Sequence, residues 1–146
     1  MLTKHKNYVL YLLSRREYSR RELSQKLRQR DLSHSEIETI FNYLDEYQYQ
    51  SDERCADQLV QSQINKLNGK NKILQAAYLK GLGENLIEKS IEKLEVDWIK
   101  IAKNAYQKKY GCDENQTLEW SDKQKRMRYL VSRGFSFDVS LEAIES

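Results

Sequence analysis

Arg30-Asp31-Leu32-Ser33 reads as a base, a turn residue, an apolar residue and a small residue that opens the next helix. The same order stands at Lys80-Gly81-Leu82-Gly83 and at Arg133-Gly134-Phe135-Ser136, and offsets of 50 and 103 residues superimpose the three. Those offsets also bring Leu27 onto Ala77 and Leu130, and Phe41 onto Ile91 and Ile144. Ile40 falls on Ser90 and Ala143, so the likeness is loose and tightest at the turn. Glycine at two of the three turns suits a helix that ends in the left-handed conformation. A period of about 45 residues is that of a helical repeat. The expected fold is all-α: three tandem three-helix, helix-turn-helix-like repeats in an elongated, curved arrangement, with units 1–50, 51–97 and 98–146.

Outward from the turns, helical periodicity dominates. Ile37, Ile40, Phe41 and Leu44 recur at the spacing that lines one helix face. Similar stripes run through Tyr8, Val9, Leu12 and Leu13; through Ala56, Leu59, Val60, Ile64 and Leu67; and through Ile87, Ile91 and Leu94. Ser19 with Glu22 and Ser33 with Glu36 form capping boxes, and Ser121 with Gln124 a weaker one. About nine short helices and no sheet follow.

Composition narrows the function. The chain has 146 residues, 39% hydrophobic and 32% charged, with no proline and five glycines. The longest uncharged apolar run, Asn7 to Ser14, is far short of the roughly 20 residues of a membrane span. Cys55 and Cys112 stand far apart, which predicts a reduced, soluble, cytoplasmic protein without a disulfide framework. With only His5 and His34, neither a zinc site nor a Ser-His-Asp arrangement assembles, and no phosphate-cradling glycine motif occurs. The expectation is a non-enzymatic binding protein with no cofactor, acting as a monomer away from membranes.

Charge is phased with the repeats. Residues 1–30 carry net +7 and residues 31–60 net −7. The alternation continues with +4 over 61–83, −3 over 84–97, +5 over 98–133 and −3 over 134–146. In this reading the first two helices of each unit are basic and the third acidic. A basic stripe on one side is the footprint expected of a polyanion binder, and the acidic helices either face basic patches on a protein partner or neutralise the neighbouring repeat. The candidate contacts are Arg15, Arg16, Arg20, Arg21 and Arg28 in the first unit, Lys66, Lys70 and Lys72 in the second, and Lys123, Arg126, Arg128 and Arg133 in the third. Basic side chains at phosphates release counterions, so these segments are expected to anchor nucleic acid non-specifically. Tyr43, Tyr47 and Tyr49, amid acidic neighbours, and Trp98, beside Ile101 and Ala102, read as packing residues.

The run Leu13-Ser14-Arg15-Arg16-Glu17-Tyr18-Ser19-Arg20-Arg21-Glu22-Leu23, then Lys26-Leu27, resembles the amino-terminal motif of the RecX family. The stretches Tyr43 to Tyr49, Gly69 to Leu82, and Arg126-Met127-Arg128-Tyr129-Leu130 with Arg133 to Ser136 resemble its later motifs in order. This resemblance implies three tandem three-helix repeats that lodge in the groove of a RecA filament on single-stranded DNA. It implies inhibition of RecA ATP hydrolysis, strand exchange and co-protease activity. Carried over residue by residue, it points to Arg15, Arg16, Arg20, Arg21, Lys70, Lys72, Arg126, Arg128 and Arg133 as contacts. The rival reading is a helix-turn-helix DNA-binding transcriptional regulator.

Overall fold

Capping serines and left-handed turns divide the chain into short helices, and a computed structural model describes residues 2–111 and 118–145. Cys112 lies outside the described residues. Helices α1 (Thr3–Arg15), α2 (Arg20–Arg28) and α3 (His34–Glu46) form the first unit. The second holds α4 (Asp52–Asn65), α5 (Lys70–Lys80) and α6 (Glu84–Lys93), and the third α7 (Trp98–Tyr110), α8 (Trp120–Ser132) and α9 (Phe137–Glu145). No strand occurs among the described residues, and no helix among them is long and apolar enough to cross a membrane.

The three turns share one geometry. Asp31, Gly81 and Gly134 all have positive φ, at 62°, 73° and 100°. The amides after them donate five residues back: Leu32 to the Leu27 carbonyl, Leu82 to Ala77 and Phe135 to Leu130. This closes the end of each unit's second helix and turns Leu32, Leu82 and Phe135 into the core. The third helices then start at Ser33, Gly83 and Ser136. Both strong capping boxes form: the Ser19 and Ser33 hydroxyls accept from the amides of Glu22 and Glu36, whose carboxylates accept the serine amides in return.

Three differences from the sequence reading have local causes. Helix α8 begins at Trp120, behind Glu119, without a side-chain cap. Ser121 is thus already inside the first turn, where Asp122 faces the positive helix end. The stripe from Ala56 to Leu67 splits: Ala56, Leu59 and Val60 stay in the second core, while Leu67, at φ 61°, packs against the third. And α4, the first helix of its unit, is acidic, holding Asp52, Glu53 and Asp57 against Arg54.

Each unit has its own core. The first centres on Leu23, Leu27, Ile40 and Leu44, the second on Val60, Ile73 and Ile87, and the third on Ala102, Leu130 and Phe135. Ile64, Val96 and Trp98 pack against both the second and third cores. No apolar side chain among the described residues is common to the first and second. Cys55 is buried in the second core, and burial pushes its thiol up to about 11, so it serves as a small apolar residue.

Candidate nucleic-acid and protein interface

Some of the basic residues sit at the seams between units and others on the faces of single units. At the first seam, the start of α2 rests on the end of α5. The buried Ser19 hydroxyl donates to the Lys80 carbonyl at 2.5 Å while it caps α2. Glu22 joins Arg16, at 2.9 Å, to Lys80, at 3.3 Å. Burial works to raise the Glu22 carboxyl, but the hydrogen bonds from Arg16 and the Ser19 amide and the charge of Lys80 outweigh it and hold the carboxyl below its usual value. The hydrogen bond to Glu22 in turn raises Arg16. Around this core of charges, the Arg20 amide donates to Asp52, the Glu17 amide to Gln58, and Arg54 pairs with Glu17.

At the second seam the start of α5 rests on the end of α8, and the contact is backbone on backbone. The Gly69 amide donates to the Arg133 carbonyl at 2.7 Å, and the Asn71 amide to the Gly134 carbonyl at 3.0 Å. A Cβ on Gly69 would lie 2.3 Å from the Gly134 carbonyl carbon, so no larger residue fits without moving backbone. The Arg133 guanidinium donates to the Lys66 carbonyl across the same seam.

These seams sort the twelve candidate side chains into two groups. Apart from Arg15, six make polar contacts within the protein. Arg16 pairs with Glu22 and lies over the Tyr18 ring; Arg20 pairs with Asp45 and lies over Phe41. Lys70 pairs with Glu88 and Lys123 with Glu145. Arg126 donates to the Tyr106 hydroxyl and lies over Tyr110, and Arg133 donates to Lys66.

The other six leave their charge on the surface. Arg15 meets only the Tyr11 hydroxyl, itself exposed. Arg21 and Arg28 line a cleft between α2 and α3 with His34, while Lys66 and Lys72 line one at the second seam beside Arg133 and Asn68. Arg128 lines a third, between α8 and α9. For Arg21, Arg28, Lys66, Lys72 and Arg128, the described residues offer no side-chain hydrogen bond or ion pair.

Sequence reasoning missed Gly69, which stood among lysines as an ordinary loop glycine. It also missed His34, which lines the α2–α3 cleft, and the exposed pair Trp120 and Phe137, which line the α8–α9 groove, because each needs two helices to be seen. Tyr43, Tyr47 and Tyr49 pack on one another, with ring centroids 5.3 to 5.9 Å apart. Among the described residues no group of three or more His, Cys, Asp or Glu side chains is placed to hold a metal.

Residues 6–44 match the description "RecX, first three-helix domain", and residues 95–144 match "RecX, third three-helix domain". A regulatory protein RecX from Actinobacillus pleuropneumoniae is 36% identical over 132 residues, covering 90% of this chain and 85% of that protein. One from Acinetobacter baylyi is 35% identical over 142 residues, covering 97% and 87%. A crystal structure of a regulatory protein RecX superposes with a TM-score of 0.80 at 28% identity, covering 98% of this chain and 72% of that one. RecX from Lactobacillus salivarius shares the fold, with a TM-score of 0.81 at 24% identity over 99% of this chain and 94% of that one. Two matched domains at opposite ends, and relatives that align across nearly the whole length, establish that the chain belongs to the RecX family of regulatory proteins.

Proposed function

We propose that this protein binds RecA filaments on single-stranded DNA and lowers RecA ATP hydrolysis, strand exchange and co-protease activity, acting as a cytoplasmic, non-enzymatic monomer. The observation that carries the reading is the set of cations the fold does not consume: Arg21 and Arg28 in the first unit, Lys66 and Lys72 at the second seam, Arg128 in the third. Surface cations repeated along tandem units suit a polyanion that is itself a repeat, and their contacts position the protein without reading sequence. The acidic helices α3, α4 and α6 leave other faces for a protein partner. In this reading the units 1–50, 51–97 and 98–146 act as consecutive grips.

The test is the single-stranded-DNA-dependent ATPase rate of RecA from the same source, with this protein titrated in below one molecule per RecA. We expect inhibition at these substoichiometric amounts. Arg28→Glu combined with Lys72→Glu, both exposed and unpaired, should raise the concentration needed by about tenfold, since each phosphate contact contributes to a salt-dependent affinity. A folded wild-type protein that leaves the rate unchanged would overturn the reading.

A further inference from the structure

The offset that superimposes the turns also superimposes a groove. Between α2 and α3 the cleft is lined by Arg21, Ser24, Arg28, His34 and Glu38. An offset of 103 residues carries these onto Gln124, Met127, Val131, Phe137 and Leu141, and all five line the groove between α8 and α9. The first unit presents this groove as polar and basic; the third presents it as apolar. Nothing in the third core requires that change. Trp120 is 71% exposed, Phe137 64% and Val131 46%, and none of them belongs to the buried cluster of their unit. Contiguous apolar surface of this kind is costly in water and marks a binding face.

Charge decides what enters. Lys123 and Glu145 neutralise one another at 2.6 Å on the groove wall. Arg128, on the α8 wall, has no ion pair or side-chain hydrogen bond among the described residues. Helix α9, on the other side, carries Asp138, Glu142 and Glu145 and no base, and of the three only Glu145 lines the groove. A nucleic-acid strand laid in the groove would run its phosphates alongside this acidic helix, whereas a protein segment of both charge signs would suit Arg128 and the acidic helix together. A volume of about 810 Å³ lies in the range of sites that bury most of a ligand. We infer that the α8–α9 groove docks an amphipathic helix of the filament protein, apolar where it enters, with a carboxylate on Arg128 and a cation toward α9. This rests on the function proposed above and reassigns Arg128, counted there among the polyanion contacts, to the protein partner, which leaves the polyanion to the first unit's groove and the second seam.

The experiment measures two affinities separately, for RecA filament on single-stranded DNA and for the naked strand. The variant Trp120→Ala with Phe137→Ala removes two exposed side chains outside the core, and far-ultraviolet dichroism checks its helix content. Anchoring aromatics dominate interfaces of this kind, so filament affinity should fall at least about tenfold with affinity for the naked strand unchanged. Arg128→Glu is a second, independent variant and should lose about fivefold for the filament through like charge against the incoming carboxylate. Filament binding within twofold of wild type in both variants would overturn the docking assignment and leave the proposed function standing. Equal loss for filament and naked strand in the aromatic variant would overturn it in favour of a base-stacking face. A wild-type protein that does not bind the filament would remove both readings.

Discussion

The two seams use the same parts in different currencies. In each, the start of one unit's second helix rests on the end of the next unit's second helix, and Ser19 and Gly69 occupy the same place. The first seam is made by side chains: the Ser19 hydroxyl, and Glu22 between Arg16 and Lys80. The second is made by two backbone hydrogen bonds and by Ile64, Val96 and Trp98, which pack into both neighbouring cores. Polar side-chain contacts respond to pH and salt and are individually weak, whereas backbone pairing with shared apolar burial is neither charged nor easily released. Units two and three are thus joined by backbone pairing and shared apolar burial, and unit one is the member held by adjustable polar contacts. Under the proposed function, that would set the adjustable contacts next to the most basic segment of the chain.

The strongest way to break the comparison is Gly69→Ala. Gly69 has an ordinary extended N-cap conformation, so alanine meets no backbone strain there, and its poorer capping accounts for only about 1 kcal/mol of the loss. The rest comes from the Cβ, 2.3 Å from the Gly134 carbonyl carbon, with no flexible side chain to give way. The expected loss is about 3 kcal/mol in urea unfolding, the upper end of ordinary substitutions. At Gly81 the corresponding neighbour is the Arg21 side chain, 2.5 Å away at Cδ and 2.8 Å at Cβ, and the positive φ of 73° adds a strain that Gly69 does not have, so the two sites differ in the cause of their cost. A loss at Gly69 below about 1 kcal/mol would show that the second seam is no more rigid than the first.

What the sequence disclosed was what is local. The turns at Asp31, Gly81 and Gly134 were legible because one residue's φ and one amide five positions back define them. The Ser19 and Ser33 caps were legible for the same reason. Ser121 misled because a box motif names a helix start only if the preceding residues stay extended, and α8 had already begun. The seams were invisible. Gly69 matters because of a backbone that arrives from another unit, and the partners of Lys80 and Arg133 lie in other units too. Summed charge located the basic surface, but pairing decides which bases face outward, and pairing is tertiary. Averaging residues 31–60 as one acidic window likewise hid that α4 opens the second unit with its own carboxylates.

A middle-sized effect sharpens the description of the first seam. Ser19 is fully buried, caps α2 through the Glu22 amide at 3.1 Å and donates to the Lys80 carbonyl at 2.5 Å. Ser19→Ala removes both at once and leaves a seam carbonyl without its donor. The expected loss is about 2 kcal/mol by urea unfolding, the sum of a lost cap and an unmade hydrogen bond. Ser33→Ala is the control, because the Ser33 cap is exposed and joins no seam; it should cost about 1 kcal/mol. Equal losses at the two serines would mean that Ser19 contributes only as a cap.

The smallest effect is also the most selective, since it depends on charge alone. Glu22→Gln keeps the side chain's length and its place in the capping box but removes the negative charge between Arg16 and Lys80. The partners are partly exposed, so the expected loss near neutrality is about 1 kcal/mol. Its pH dependence carries the information. The folded chain holds the Glu22 carboxyl below its usual value, so the unfolded chain takes up the proton first as pH falls. The contribution is complete above the unfolded carboxyl's value and is lost as pH drops through the folded one. Wild type and variant should therefore differ at pH 7 and converge as pH falls through the lowered value that Glu22 has in the folded chain. Parallel stability curves across that range would mean that Glu22 holds the seam by shape rather than by charge, and the contrast with the backbone-built second seam would lose its electrostatic half.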